Sequence, residues 1–436
     1  MSPVAEYTFH YGREDVTVKL PDGLKMTELT GREMPALPDP AAALREGLSD
    51  PFGCAPLAAQ ARDKHSALIV ISDYTRYHGY PQWLPVLLDE VNAAGIPDGA
   101  IRLYVGSGTH RTATPEEKRE LVGEAVHGRV EILDHDCDAM GRMQKIGRTS
   151  YGTVAYVDER VFHAELLILT GGINYHYFAG YSGGRKAVLP GCSARQTILS
   201  NHSLALERST GDFHPAVQPG ALVGNPVNED MLQVASQLRP DICVNVVLNS
   251  DRQIAWLGAG DHGYMLRTGA QFLDDHRRVE VAEPAEIAII GAGGYPKDLS
   301  LFQAHKSLRH SVAALKPGAR VFWLAACEHG EGTKEFQSYR PLSLDEVRGK
   351  VQYHISLSSI CSLSLKRLAD MYEVHLISEL EPDHVRAWGL VPHRDINQAL
   401  GQGLPANAAA LSWIVAPDFS SLLAVPPAPP EEEEQP

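Results

Sequence analysis

The 436-residue sequence contains no apolar run long enough to cross a bilayer, which excludes a helical membrane protein. Its first residues, Met1-Ser2-Pro3-Val4-Ala5-Glu6, lack the basic and apolar regions of a signal peptide, so a cytoplasmic protein is expected. The six cysteines, Cys54, Cys137, Cys192, Cys243, Cys327 and Cys361, form no Cys-x-x-Cys pair. That pattern argues against a disulfide framework or a structural zinc site and for reduced, individually placed thiols. Positive charge is also scarce, with 39 Lys and Arg against 54 Asp and Glu and a formal net charge of -15. Nothing here would neutralise a row of phosphates, so no nucleic-acid surface is expected. A small anionic substrate stays open, because a few basic side chains converging in a cleft set the local field whatever the total. Part of the acidic excess is a tail, 426–436, where proline leads into Glu431-Glu432-Glu433-Glu434, and it is expected to be disordered. The stretch Gly180–Lys186 has neither the Walker spacing nor Gly-x-Gly-x-x-Gly, and no internal repeat is found.

What is there alternates. Short, continuously apolar runs rich in β-branched residues occur at Ser66–Asp73, Ile101–Val105 and Glu165–Thr170, separated by helical spacing at Pro81–Ala94 and Pro115–Val122. Such runs are typical of parallel strands buried on both faces. A second series begins near Pro284, with strands expected at Ile287–Gly291, Arg320–Ala325 and Tyr372–Ile377. The expected fold class is therefore α/β, with two α/β domains, open and mostly parallel sheets, and an active-site cleft between them. A chain of this length exceeds what one core usually supports. Ala409–Val415 reads as a strand returning to the first domain. The expected division is 1–278 plus 405–425 as a discontinuous N-terminal cofactor-binding domain and 279–404 as the C-terminal domain.

Functional side chains gather at the ends of the expected strands. Asp73-Tyr74-Thr75-Arg76 follows the first, Gly106-Ser107-Gly108-Thr109-His110 the second, and His176 comes shortly after the third. Gly180-Tyr181-Ser182-Gly183-Gly184-Arg185-Lys186 follows directly, with His202 on an expected helix beyond. A flexible loop that lets backbone approach an anion, a lysine at its end and nearby histidines suggest a cofactor site with acid/base chemistry. Arg76 could hold a carboxylate through two parallel hydrogen bonds. Each signal has a plainer counterpart. The glycines could be a turn capped by a solvated basic pair, Asp73 a helix cap, and any one of 19 histidines a surface or core residue. Gln303 and Lys306, three apart, share one helix face, which an ordinary amphipathic helix would also give. The common placement at strand ends favours a shared crevice for Asp73, His110 and His176.

Taken together, these motifs resemble the nickel-pincer lactate racemase family. The resemblance runs from about Val70 to Leu308 and includes His176-Tyr177-Phe178-Ala179-Gly180-Tyr181-Ser182-Gly183-Gly184-Arg185-Lys186 and Gly293-Gly294-Tyr295-Pro296-Lys297-Asp298 leading to Gln303-Ala304-His305-Lys306. It implies a racemase or epimerase of a 2-hydroxy acid, lactate or a larger relative, and a nickel-pincer nucleotide covalently attached to Lys186. On this resemblance His202 is the nickel ligand, His110 and His176 are the catalytic acid/base pair, and Asp73, Thr75, Arg76, Gly183 and Gly184 contact the cofactor. Arg76, Gln303 and Lys306 would bind substrate, hydride transfer would avoid a carbanion beside an ionised carboxylate, and cofactor-maturation proteins would be required partners. Phe302 stands where lactate-acting members are expected to carry tyrosine. Two other readings are a three-histidine divalent-metal hydrolase built on His110, His176 and His202, and a non-catalytic metallocofactor binder.

Overall fold

The computed structural model describes residues 4–21 and 23–427. The chain divides into two compact units, one formed by residues 33–206 and 213–276, the other by residues up to 32, residues 207–212 and those from 277 onward.

The first unit is built on a six-stranded sheet in the order Ile254–Gly260, Ile242–Leu248, Leu166–Gly172, Ala67–Ser72, Ile101–Gly106, Glu131–Asp134. All neighbours run parallel except the outer Ile254–Gly260, which is antiparallel to Ile242–Leu248. The runs read as buried strands are buried along nearly their whole length. Helix Tyr80–Ala93 covers them with Trp83, Leu84, Leu87, Leu88 and Val91, the spacing of one helical face. From Ala67–Ser72 the chain builds outward in one direction through Ile101–Gly106, then returns on the other side with Leu166–Gly172. The strand order reverses between the two central strands, and in open α/β sheets ligands bind at the carboxyl ends flanking such a reversal. Asp73 and Gly171-Gly172 occupy those ends.

The second unit has its own six-stranded sheet, parallel throughout, in the order Val391–His393, Glu373–Ile377, Leu315–Leu324, Ala285–Gly291, Ser412–Ala416, Lys25–Glu28. Two expected assignments are corrected here. Ser412–Ala416 does not return to the first domain. It pairs with Ala285–Gly291, Trp413 beside Ile287 and Val415 beside Ile289. The N-terminal residues also belong to this unit: the hairpin Val4–Tyr11/Glu14–Pro21 places Phe9, Val18 and Leu20 in one core with Ile287, Ile289, Phe322 and Trp413. Apolar burial and ladder pairing outweigh proximity in sequence. The boundary expected at 278/279 falls within two residues of the division at 277. The acidic residues of the tail lie outside the described residues.

Among the described residues no helix is long and apolar enough to cross a membrane. Several histidines are locked inside as neutral rings. Burial, the largest cause in each, drives His78, His202 and His305 to about 3 and His135 and His310 to about 4. In an unfolded chain a histidine titrates near 6.5, so below that pH the unfolded state binds more protons. The stability these rings contribute is complete above about pH 6.5 and lost as pH falls toward their folded-state values. The urea midpoint of the full chain is expected to be flat from pH 8 to 7 and to fall steeply between 6.5 and 4. A flat profile down to pH 5 would contradict neutral burial.

Candidate active site

Asp73 follows the last residue of its strand and is almost fully buried. One carboxylate oxygen accepts from the Thr75 amide (3.1 Å) and hydroxyl (2.6 Å), the local turn that short acidic residues favour. The other accepts from His110 Nδ1. Burial pushes the Asp73 carboxyl up, but the hydrogen bonds from His110 and Thr75 outweigh it and hold it below the usual carboxylate range. A carboxylate can only accept, so in the neutral ring of His110 the proton sits on Nδ1 and Nε2 carries the lone pair. The turn bearing His110 is fixed by its amide bonded to the Ser107 carbonyl (3.0 Å) and by Gly108 N donating to the Gly191 carbonyl (3.0 Å). Asp73 and His110, two of the three side chains expected to share a crevice, are therefore in contact. Thr75 and Arg76 are exposed beside them, with the Arg76 amide bonded to the Asp73 carbonyl (3.0 Å).

His176 lies on a two-residue strand, Tyr175–His176, paired antiparallel with Gly180–Tyr181. Asp274 clamps this hairpin by accepting from the hydroxyls of Tyr175 (2.9 Å) and Tyr181 (2.7 Å). Within the turn, His176 Nδ1 accepts from the amides of Ala179 (3.2 Å) and Phe178 (3.5 Å), while Nε2 lies 3.1 Å from Lys186 Nζ. Phe178 is the hub. Its buried ring meets His176 edge-on (centroids 4.5 Å apart), meets His202 at 5.0 Å, and has Lys186 Nζ 5.7 Å from its centroid. Asn225 holds the Phe178 carbonyl through Nδ2 (2.9 Å). His176, Lys186 and His202 thus surround one aromatic ring.

The glycine-rich stretch is not a loop with a solvated basic pair. Arg185 is fully buried, and its guanidinium donates to the carbonyls of Ala179 (3.0 Å), Tyr181 (3.0 Å) and Ser182 (3.3 Å). Burial lowers its pKa to about 9. It acts as an internal tie that shapes the turn presenting Lys186 on the short helix Arg185–Val188. Gly183 adopts a positive φ of 120°, which favours glycine. Gly184 serves packing: its amide donates to Asn245 Oδ1 (3.0 Å) and is not available to an anion, and an added Cβ would stand 2.2 Å from Cys243 Sγ. Gly184→Ala is accordingly expected to cost about 1–3 kcal/mol of stability. In a double-mutant cycle Cys243→Ala should recover part of that loss, read from urea midpoints. Strict additivity would contradict the clash.

His202 lies in helix Arg195–Ser203, nearly buried, and its Nδ1 has no hydrogen-bond partner among the described residues. Burial first, and the nearby Lys186 amine second, keep its ring neutral, the protonation state in which imidazole ligates metals. Among the described residues no three His, Cys, Asp or Glu side chains come together as a metal site. His110 is turned to Asp73 and His176 to Lys186, so the three-histidine hydrolase has no ligand cluster to work with.

Gln303 and Lys306 lie on helix Leu301–His310 of the second unit and share a face, Lys306 Nζ donating to Gln303 Oε1 (2.5 Å). Phe302 packs edge-on against Phe336 (5.4 Å), which stacks on Trp388 (4.4 Å). Sequence reasoning missed Arg185 as a tie, Phe178 as the hub, and Asn225, Asn245 and Asp274 as supports. Only Phe178 and Arg185 lay inside a motif, where nothing local distinguishes their roles.

Known proteins resemble this chain along most of its length. The family described as lactate racemase N-terminal domain matches residues 11–212, and lactate racemase C-terminal domain matches residues 280–423. The lactate racemase of Lactiplantibacillus plantarum is 30% identical over 386 residues, covering 86% of this chain and 88% of that protein. That of Thermoanaerobacterium thermosaccharolyticum is 28% identical over 375 residues, covering 82% and 84%. The solved lactate racemase apoprotein from the same organism superposes with a TM-score of 0.88 at 26% identity, covering 97% of this chain and all of that one. A Thermotoga maritima crystal structure, 15% identical with a TM-score of 0.63 over 89% of this chain and 98% of that one, shares the fold alone.

Proposed function

Since the chain belongs to the lactate racemase family, we propose that it interconverts the enantiomers or epimers of a 2-hydroxy acid, lactate or a larger relative, with a nickel-pincer nucleotide attached to Lys186. The observation that carries this reading is the grouping of His176, Lys186 and His202 around Phe178.

The residues fit such a group. An ion held mainly by its own organic ligand needs little from the protein, and the site offers one neutral imidazole, His202, whose Nδ1 has no hydrogen-bond partner among the described residues. Imidazole suits Ni(II). Lys186 stands close enough to lower the His202 pKa by its charge, so attachment and ligation can be served by neighbours. When bound, the group supplies an electron-poor ring able to take and return a hydride.

The chain's own residues would do the rest. His110, its Nδ1 proton fixed by Asp73, can take the substrate hydroxyl proton at Nε2 and later return it. His176 serves the oxygen of the mirror-image substrate, because the two enantiomers direct their hydroxyls differently. Arg76, exposed beside Asp73, is assigned to the substrate carboxylate. Phe302 in place of tyrosine removes a hydroxyl from this neighbourhood of the sequence, which suits a substrate larger or less polar at that position. Cofactor-maturation proteins would be obligatory partners in the producing cell.

The test is racemisation in D2O by protein made together with the maturation proteins, using L-lactate and a panel of larger 2-hydroxy acids. Hydride transfer returns the opposite configuration with protium kept at C2. Deuterium at C2 would mean proton abstraction and would overturn the mechanism, and no turnover of any member of the panel would overturn the activity.

A further inference from the structure

We propose that Gly191 is a positioning residue that fixes the spacing between Lys186 and His110, with His135 as its brace. The inference rests on the proposed reading, in which the group attached to Lys186 and the imidazole of His110 act on one substrate.

Helix Arg185–Val188 is about one turn long, so its carbonyls need partners from beyond it. The segment that follows supplies them. Leu189 N donates to the Arg185 carbonyl (3.1 Å), Gly191 N to that of Lys186 (3.0 Å) and Cys192 N to that of Val188 (2.9 Å). Cys192 Sγ donates to the Ala187 carbonyl (3.0 Å). The Gly191 carbonyl in turn accepts from Gly108 N (3.0 Å), two residues before His110. One residue is thus bonded both to the lysine and to the turn that carries the base. Backbone meets backbone here because side chains are absent. A Cβ added at Gly191 would stand 2.2 Å from the Ala187 carbonyl oxygen, and one at Gly106 3.4 Å from Gly191 Cα. No rotamer intervenes along this span, so it is short and stiff.

The segment is also held from the sheet. His135 follows strand Glu131–Asp134 and is buried, and its amide donates to the Val105 carbonyl (3.3 Å). Its ring spans the gap: Nε2 donates to the Ser193 carbonyl (3.0 Å) and Nδ1 accepts from the Tyr104 hydroxyl (2.9 Å). A carbonyl can only accept, which fixes this arrangement in the neutral ring. Ser193 Oγ donates back to the Val188 carbonyl (2.8 Å), closing the brace onto the lysine helix. Lys186 has anchorage of its own, through the buried Arg185 and through Gly184 N on Asn245. A change at Gly191 therefore displaces the His110 turn and leaves Lys186 in place. The hairpin carrying His176 is joined to Arg185 directly, through the carbonyls of Ala179 and Tyr181, so its placement does not run through Gly191.

The test compares the chain made together with maturation proteins with its Gly191→Ala and His135→Leu variants. Single turnovers are started from each enantiomer in turn, quenched early with acid, and the 2-keto acid formed is measured. Each enantiomer presents its hydroxyl to a different histidine, so a shifted His110 slows one half-reaction and spares the other. A misplacement of about 1 Å can cost roughly 10²-fold, so a loss of at least about tenfold from one enantiomer is expected. Adduct and nickel content should stay unchanged. His135→Gln, whose amide can still donate to the Ser193 carbonyl, should recover the lost step. In the unaltered chain made without cofactor, the Gly108 and Gly191 amides should exchange slowly and with one opening free energy, as members of one cooperative unit do. That measurement needs no variant to fold. Equal losses from both enantiomers, no loss in either variant, or Gly108 and Gly191 amides exchanging as fast as those of exposed loops would each overturn the inference and leave the proposed function standing. An unaltered protein that turns over no 2-hydroxy acid would overturn the proposed function, and this inference with it.

Discussion

Lys186→Ala is expected to give a folded chain that carries no covalent adduct and turns over no 2-hydroxy acid above background. The backbone at this position is held by Lys186 N to the Gly183 carbonyl (2.8 Å) and Gly191 N to the Lys186 carbonyl (3.0 Å), bonds that alanine retains. The side chain is only partly buried, so stability should change little. Lys186→Arg separates charge from chemistry. It keeps a cation near Phe178 but offers a guanidinium that stays protonated and does not acylate, so it should lose the adduct as completely as alanine does. Full activity in Lys186→Arg, measured as conversion of a single enantiomer, would show that the lysine provides only charge.

Asp73→Asn should lower turnover by about two to four orders of magnitude while adduct and nickel content stay unchanged. The carboxylate accepts from His110 Nδ1 and so keeps the lone pair on Nε2. An asparagine can turn its NH2 toward the ring instead, which stabilises the opposite tautomer and places a proton where a base is needed. His110→Ala should lose a similar amount, and the double variant little more than either, because the two residues act as a unit. Retained binding with lost turnover would mark an enzyme, against the reading of a passive metallocofactor binder. Additive losses would mean that Asp73 acts on something besides His110.

Both expectations concern residues that were legible in the sequence, and the reason is geometric. Runs such as Ala67–Ser72 and Leu166–Gly172 must be apolar on both faces because helices cover the sheet, and side chains that follow them emerge at one edge. Asp73, His110 and the stretch from His176 to Lys186 therefore carried their location in their spacing. What was not legible depended on distant pairing. Nothing in Ser412–Ala416 states which of the two sheets will accept it, and nothing in Phe9, Val18 or Leu20 names the core they join. Arg185 is the clearest case of a signal that does not exist locally. A basic residue beside a lysine reads as solvated, and only the three carbonyls folded around it reveal a tie. The glycines misled in a related way, since Gly184 is required by Cys243 behind it and its amide is already engaged with Asn245.

The most direct measurement is intact-protein and peptide mass spectrometry, with nickel analysis, on the chain produced with and without cofactor-maturation proteins. With them, a mass increase confined to the peptide containing Lys186 and about one nickel per chain are expected, as a single pincer site requires. Without them, the same peptide should be unmodified and the protein free of nickel. An unmodified Lys186 and no nickel under co-production would contradict the account at its centre.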